Sequence, residues 1–142
     1  MQASRALNLC NCFAVRQAAR RVTRLYERHL GKAQLTSAQF SILVALREGG
    51  QMRMAELAKE LVMDRTTLLR ALKPLQRAGF LKSAASDGDP RQLVLSLSPA
   101  GDRKLRHAMP LWIKAQQEFE SAMAPGEAVR LRGALLSLAN EG

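Results

Sequence analysis

Apolar residues in this chain recur at helical spacing for most of its length, and at strand spacing only once. Residues 8–30 contain neither Gly nor Pro and carry Cys10, Ala14, Ala18, Val22 and Leu25 three or four apart, which predicts one long helix ended by Gly31. A second helix is predicted from Thr36 or Ser37, either able to cap it, to about Arg47, with a face of Phe40, Leu43, Val44 and Leu46. After Gly49-Gly50, "QMRM" leads into a short helix with Leu57, Ala58 and Leu61 on one side. Asp64 has the character of an N-cap for the next helix, whose Leu68, Leu72 and Leu75 share a face and whose stop is Gly79. Pro74 falls inside that helix and removes one hydrogen bond from it, with a bend expected there.

The period then changes. "FLKSAA" and "QLVLSL" read as two strands, the second alternating Leu93, Leu95 and Leu97, and the turn formers "SDGDPR" between them predict a β-hairpin. Ser98 and Pro99 supply the cap and first residue of another helix. Its stripe of Leu105, Met109, Trp112, Gln116, Phe119 and Met123 is interrupted by Pro110, where a kink is expected. A last helix starts at Pro125-Gly126-Glu127 and carries Val129, Leu131, Leu135 and Leu138. The pattern is mainly α with a small β-hairpin. It divides into an N-terminal helix (1–34), a helix, short helix, helix and hairpin unit (35–98), and C-terminal helices (99–142).

Charge adds a partner to this outline. The 142 residues carry a net charge of +10, which favours a polyanion. Residues 64–82 hold Arg65, Arg70, Lys73, Arg77 and Lys82 against Asp64 alone, and the first 32 residues are basic as well. No stretch is apolar and long enough to span a bilayer, no signal peptide is recognisable, and free cysteines fit a reducing, cytoplasmic setting. Cys10 and Cys12 with two scattered histidines do not make a metal site, so no metal or cofactor is expected. The absence of a nucleophile–base grouping and of a glycine-rich phosphate loop argues against an enzyme.

A short helix followed by a capped, Thr- and Arg-rich helix is the layout of a helix-turn-helix, and the hairpin makes it winged. Arg65, Thr66, Thr67, Arg70, Lys73 and Arg77 remain outside the leucine face, where they suit phosphates and base edges of duplex DNA. Asp89, Pro90 and Arg91 form the hairpin tip, which can aim Arg91 at an adjacent minor groove. The two chain ends carry more apolar surface than a domain of this size can cover. They are therefore expected to pack on each other and on a second copy, giving a homodimer on a palindromic operator. The competing reading is a sequence-indifferent architectural or RNA-binding protein that holds nucleic acid through its backbone alone.

The segments "LTSAQFSILVAL", "MAELAKELVMDRTTLLRALKPLQRAGFL" and "DPRQLVLSLSPAGDRKL" resemble the MarR family of winged-helix regulators over nearly the whole chain. The resemblance implies a dimer, repression at a palindromic site, and release by a small molecule or by oxidation. "CNCFAV" is similar to the N-terminal helix of the family's peroxide-sensing branch, with Cys12 at the reactive position and Arg16 where that branch has an aromatic residue. Within one helix Cys10 and Cys12 would point about 160° apart. The reading leaves open whether both fill the core or whether Cys12, made more reactive by nearby arginines, senses oxidation. A second control site is expected between the N-terminal helix and the Trp112 helix. Phe13, Arg16, Arg20, His107, Trp112 and Gln116 would line it for an acidic aromatic or acyl-CoA effector, unless these residues are dimer core and solvated surface.

Overall fold

A computed structural model describes residues 6–86, 88–89 and 91–140. Its elements are α1 (Asn11–Leu30), a 3₁₀ turn (Gly31–Ala33), α2 (Ser37–Gly49), β1 (Met52–Arg53), α3 (Met54–Glu60), α4 (Arg65–Arg77), β2 (Leu81–Ala85), β3 (Leu93–Leu97), α5 (Pro99–Ser121) and α6 (Glu127–Ala139).

Local chemistry sets most of these boundaries. The Thr36 hydroxyl accepts from the Gln39 N–H at 3.1 Å, and the Gln39 side chain accepts from the Thr36 N–H at 3.0 Å, a reciprocal cap that starts α2. Ser98 Oγ accepts from the Gly101 N–H at 3.0 Å and starts α5, with Pro99 in the first turn as expected. Both α4 and α5 run unbroken through their prolines, Pro74 and Pro110, which lie on exposed sides.

Two expectations are corrected. The hairpin gains a third strand, because β1 pairs with β3 at Met52↔Leu95 and Arg53↔Val94, giving an antiparallel order β1-β3-β2. Two residues are too few to show an alternating pattern. The first helix also begins later than its periodicity predicts. Cys10 is extended (φ −87°, ψ 115°) and is the N-cap of α1, its Sγ accepting from the Phe13 N–H at 3.4 Å, so it does not belong to the helical stripe.

The core sits where α2, α3, α4, α5 and the sheet meet. Leu43, Leu46, Leu57, Leu68, Leu72, Leu75, Leu95 and Leu105 are buried in it. Ile42, on the opposite side of α2 from the predicted face, is also fully buried, because α2 is enclosed on two sides. Gly101 is the tightest point of the framework. A Cβ there would lie 2.1 Å from the Phe80 carbonyl oxygen, so only glycine lets α5 approach the start of the wing. Ser98 ties the same junction from the other side, its N–H donating to Phe80 O at 3.0 Å and its hydroxyl to Gly79 O at 2.6 Å.

Candidate nucleic-acid interface

The site is built outward from the leucines of α4. Leu68, Leu72 and Leu75 are at most 2% exposed, which fixes the rotation of the helix on the core. With 100° per residue, Thr66, Arg70, Lys73 and Arg77 then fall within about 50° of the direction opposite that face. All four are exposed. Arg65 and Thr67 lie on the flanks of the same helix, so the six residues singled out from the sequence divide into an outermost row of four and two at its edge.

Asp64 starts this helix as expected, its Oδ1 accepting from the Thr67 N–H at 2.7 Å. The Thr67 N–H and hydroxyl hold the carboxyl below its ordinary value of 3.8, with smaller help from the Thr66 N–H and the Arg70 charge. None of Arg65, Arg70, Lys73 or Arg77 forms an ion pair among the described residues. Their charge is therefore available to an external polyanion, whereas Arg28, Arg47, Arg53, Arg106 and Arg132 are each paired with a carboxylate.

The turn before α4 carries strain. Val62 has φ +51° and is 65% exposed, an uncommon backbone state for a β-branched residue. It ends α3, with the Met63 N–H donating back to Ala58 O at 2.9 Å.

The wing is a regular hairpin from Leu81↔Leu97 to Ala85↔Leu93, closed at its outer end by the Ser86 N–H donating to Gln92 O at 2.8 Å. At the tip Asp89 Oδ1 accepts from the Arg91 N–H at 2.9 Å, and Arg91 is exposed. Pro90, also expected at the tip, lies outside the described residues. Lys82 is exposed on β2, so α4 and the wing present basic groups from consecutive pieces of chain.

The expected regulatory residues are distributed differently. Cys10 and Cys12 are both exposed free thiols, so neither fills a core within the single chain. They line one shallow hollow of about 320 Å³ together with Phe13, Arg16 and Arg20, so the extended backbone at Cys10 places both cysteines beside the arginines rather than on opposed helix faces. The six residues expected to form one effector pocket are split. Phe13 lies 13 residues before Tyr26, about 20 Å along α1. Trp112 faces Phe40 instead, ring centroids 6.1 Å apart and planes 20° from parallel. Gln116 accepts a hydrogen bond from the Tyr26 hydroxyl, and His107 is exposed.

Trp112 lines a hollow of about 840 Å³ between the end of α1, α2, the end of α3 and α5; the sequence suggests a pocket between α1 and the Trp112 helix, but of the six residues it names only Trp112 lies in these walls. Its walls include Tyr26, Phe40, Leu61, Leu105 and Met109. Tyr26, Phe40 and Trp112 are three of the chain's six aromatic residues, and their gathering from separate helices is the signal that only the fold supplies. Burial raises the Tyr26 phenol above its ordinary value of 10, with Glu120 adding to the shift and Arg132 opposing it, so it stays protonated and donates to Gln116.

A model of the MarR family matches residues 35–93, the whole of the winged unit up to β3. The M. tuberculosis transcriptional regulator MosR, solved in complex with DNA, is 34% identical with a TM-score of 0.79, over 93% of this chain and 96% of that one. The chain belongs to the MarR family. The transcriptional repressor NicR of Pseudomonas putida is 27% identical over 117 residues, 82% of this chain and 74% of that protein. Bordetella bronchiseptica BpsR, whose DNA binding is regulated by 6-hydroxynicotinic acid, shares the fold at a TM-score of 0.85 and 22% identity, covering 94% of this chain and 95% of that one. MarR-family membership makes this a DNA-binding winged helix-turn-helix protein of transcription regulation. Among the described residues no helix is long and apolar enough to cross a membrane, and no group of His, Cys, Asp and Glu could hold a metal ion.

Proposed function

We propose that the chain is a dimeric repressor that reads a palindromic operator through α4 and the wing and releases it on binding a small molecule. The observation that carries this reading is the outward row of Thr66, Arg70, Lys73 and Arg77, rotationally fixed by three buried leucines and uncompensated by carboxylates. A helix held this firmly presents the same side chains to every base pair it meets, which is what direct readout requires.

The dimer is supported by surface the chain leaves bare. In α6 only Ala128 is buried, whereas Val129, Leu131, Leu135, Leu136 and Leu138 are 39–61% exposed. The first half of α1 is likewise uncovered, with Ala14, Val15, Ala18 and Ala19 all exposed. Two such faces on both chain ends suit a second copy related by a two-fold axis, which would set the recognition helices ~34 Å apart. The Trp112 hollow, at the junction of α1 and α5 with the winged unit, is where a small molecule would act on the spacing of those helices. Oxidation at Cys12 is a second control, supported by the exposure of both thiols beside Arg16 and Arg20.

Gel shifts with an operator-like palindrome and with random duplex, across a range of salt, test the proposal. Arg70→Ala should lose preference for the palindrome by roughly tenfold or more, whereas Arg77→Ala should weaken both duplexes alike. Equal weakening of both duplexes by both variants, together with no palindrome preference in the parent protein, would leave the sequence-indifferent coat as the better account.

A further inference from the structure

The Trp112 hollow has a charge pattern opposite to that of the chain around it. Its interior is apolar and aromatic, yet its bordering charged residues are Arg47, Glu48 and Glu60. Arg47 Nε lies 3.8 Å from Asp102, a carboxylate that Arg106 holds more closely at 3.0 Å, so the border carries two carboxylates against one partly compensated guanidinium. Glu48 and Glu60 form no ion pair among the described residues. A third carboxylate, Glu27 of α1, lies behind the wall residue Ser37, accepting from its N–H at 3.0 Å and its hydroxyl at 3.3 Å. Carboxylates from α2 and α3 thus line an aromatic hollow, on a protein whose net charge is +10.

From this we infer that the hollow binds a hydrophobic organic cation: an ammonium or similar onium group on an aromatic or aliphatic body. The inference rests on the reading of this hollow as the effector site and adds the chemical class. The body fits among Phe40, Leu61, Leu105, Met109 and Trp112, and the positive group is drawn to Glu48 and Glu60. The indole of Trp112 adds attraction, because its ring face carries the negative end of the aromatic quadrupole. A carboxylate ligand meets the reverse condition. It would meet two carboxylates, Glu48 and Glu60, against the single guanidinium of Arg47. Arg16 and Arg20, the arginines that favour an acidic effector from sequence alone, line the separate hollow beside the cysteines.

Three probes of similar shape and different charge decide the matter: 3-phenylpropylammonium, 3-phenylpropanol and 3-phenylpropionate. Binding is followed by the fluorescence of Trp112, the chain's single tryptophan, and by titration calorimetry on the intact protein. The ammonium should bind roughly tenfold more tightly than the alcohol, and the propionate more weakly than either. Glu48→Gln and Glu60→Gln are exposed, conservative changes. Each should weaken the ammonium about two- to fivefold and leave the alcohol unchanged. Tighter binding of the propionate than of the ammonium, or an unaltered ammonium affinity in the double variant, overturns the assignment, as does failure of all three to bind. Release of DNA is scored separately. Ammonium binding without release keeps the ligand class and removes the effector reading, whereas release by the propionate alone does the reverse.

Discussion

The winged unit and the chain ends are built from the same kind of amphipathic helix, yet only one of them is complete within a single chain. In α4, Leu68, Leu72 and Leu75 are buried to 2% exposure or less. In α6, Leu131, Leu135 and Leu138 repeat the apolar spacing and remain 39–61% exposed. The difference lies in what surrounds each helix. Around α4, the leucines of α2, α3 and β3 close a core, whereas α6 has nothing of that kind on its apolar side. Hydrophobic periodicity therefore specifies a helix and its face, but not what covers that face.

The largest effect that could break this contrast is expected in α6. Leu135→Glu combined with Leu138→Glu should abolish dimers at micromolar concentration, seen by sedimentation, and lower affinity for a palindromic duplex by roughly a hundredfold. The far-ultraviolet helix signal should persist, since the winged core is self-contained. Loss of the folded state in this variant would show that the two regions are not separable.

Within the winged unit, Gly101→Ala should cost about 2 kcal/mol, read from the denaturant midpoint, because the new methyl group meets the Phe80 carbonyl. This loss should not depend on protein concentration if the junction belongs to the monomer. Val62→Gly should act in the opposite direction and stabilise by about 0.5 to 1 kcal/mol, since glycine adopts the left-handed state without the penalty of a branched Cβ. A destabilised Val62→Gly variant would mean that the exposed isopropyl group makes contacts outside the single chain.

The smallest effect concerns pH. The Asp64 carboxyl titrates lower in the folded chain than its ordinary 3.8. Its contribution is thus present above that value and is lost as the pH falls through the lower, folded one. Stability curves of the parent and Asp64→Asn should differ near neutral pH and converge in acid. A gap that persists in acid would point to a role other than capping by the charged form.

Much of this was legible in the sequence. The caps Thr36, Asp64 and Ser98 sit where their residue types and the following apolar spacing put them, and the wing appears where the period changes. The failures share a cause, which is that they depend on partners remote in sequence. The two residues of β1 become a strand only because β3 passes beside them. Cys10 keeps a helical spacing to Ala14 but serves as a cap, a choice made by a 3.4 Å contact from its sulfur to the Phe13 N–H. Ile42 is buried because α2 is enclosed on both sides. The residues expected to share one effector pocket fall in separate hollows for the same reason. Trp112 and Phe13 belong to helices that pack together, but at levels about 20 Å apart along α1.

Selection of bound duplexes from a random pool by the intact protein tests the central claim most directly, because it asks whether a rigid recognition row on a two-fold pair reads sequence. The account predicts an enriched palindrome whose half-sites are centred about one helical turn apart, with enrichment lost in Arg70→Ala. Recovery of the pool without any enriched sequence, at salt concentrations where the protein still binds, would contradict it.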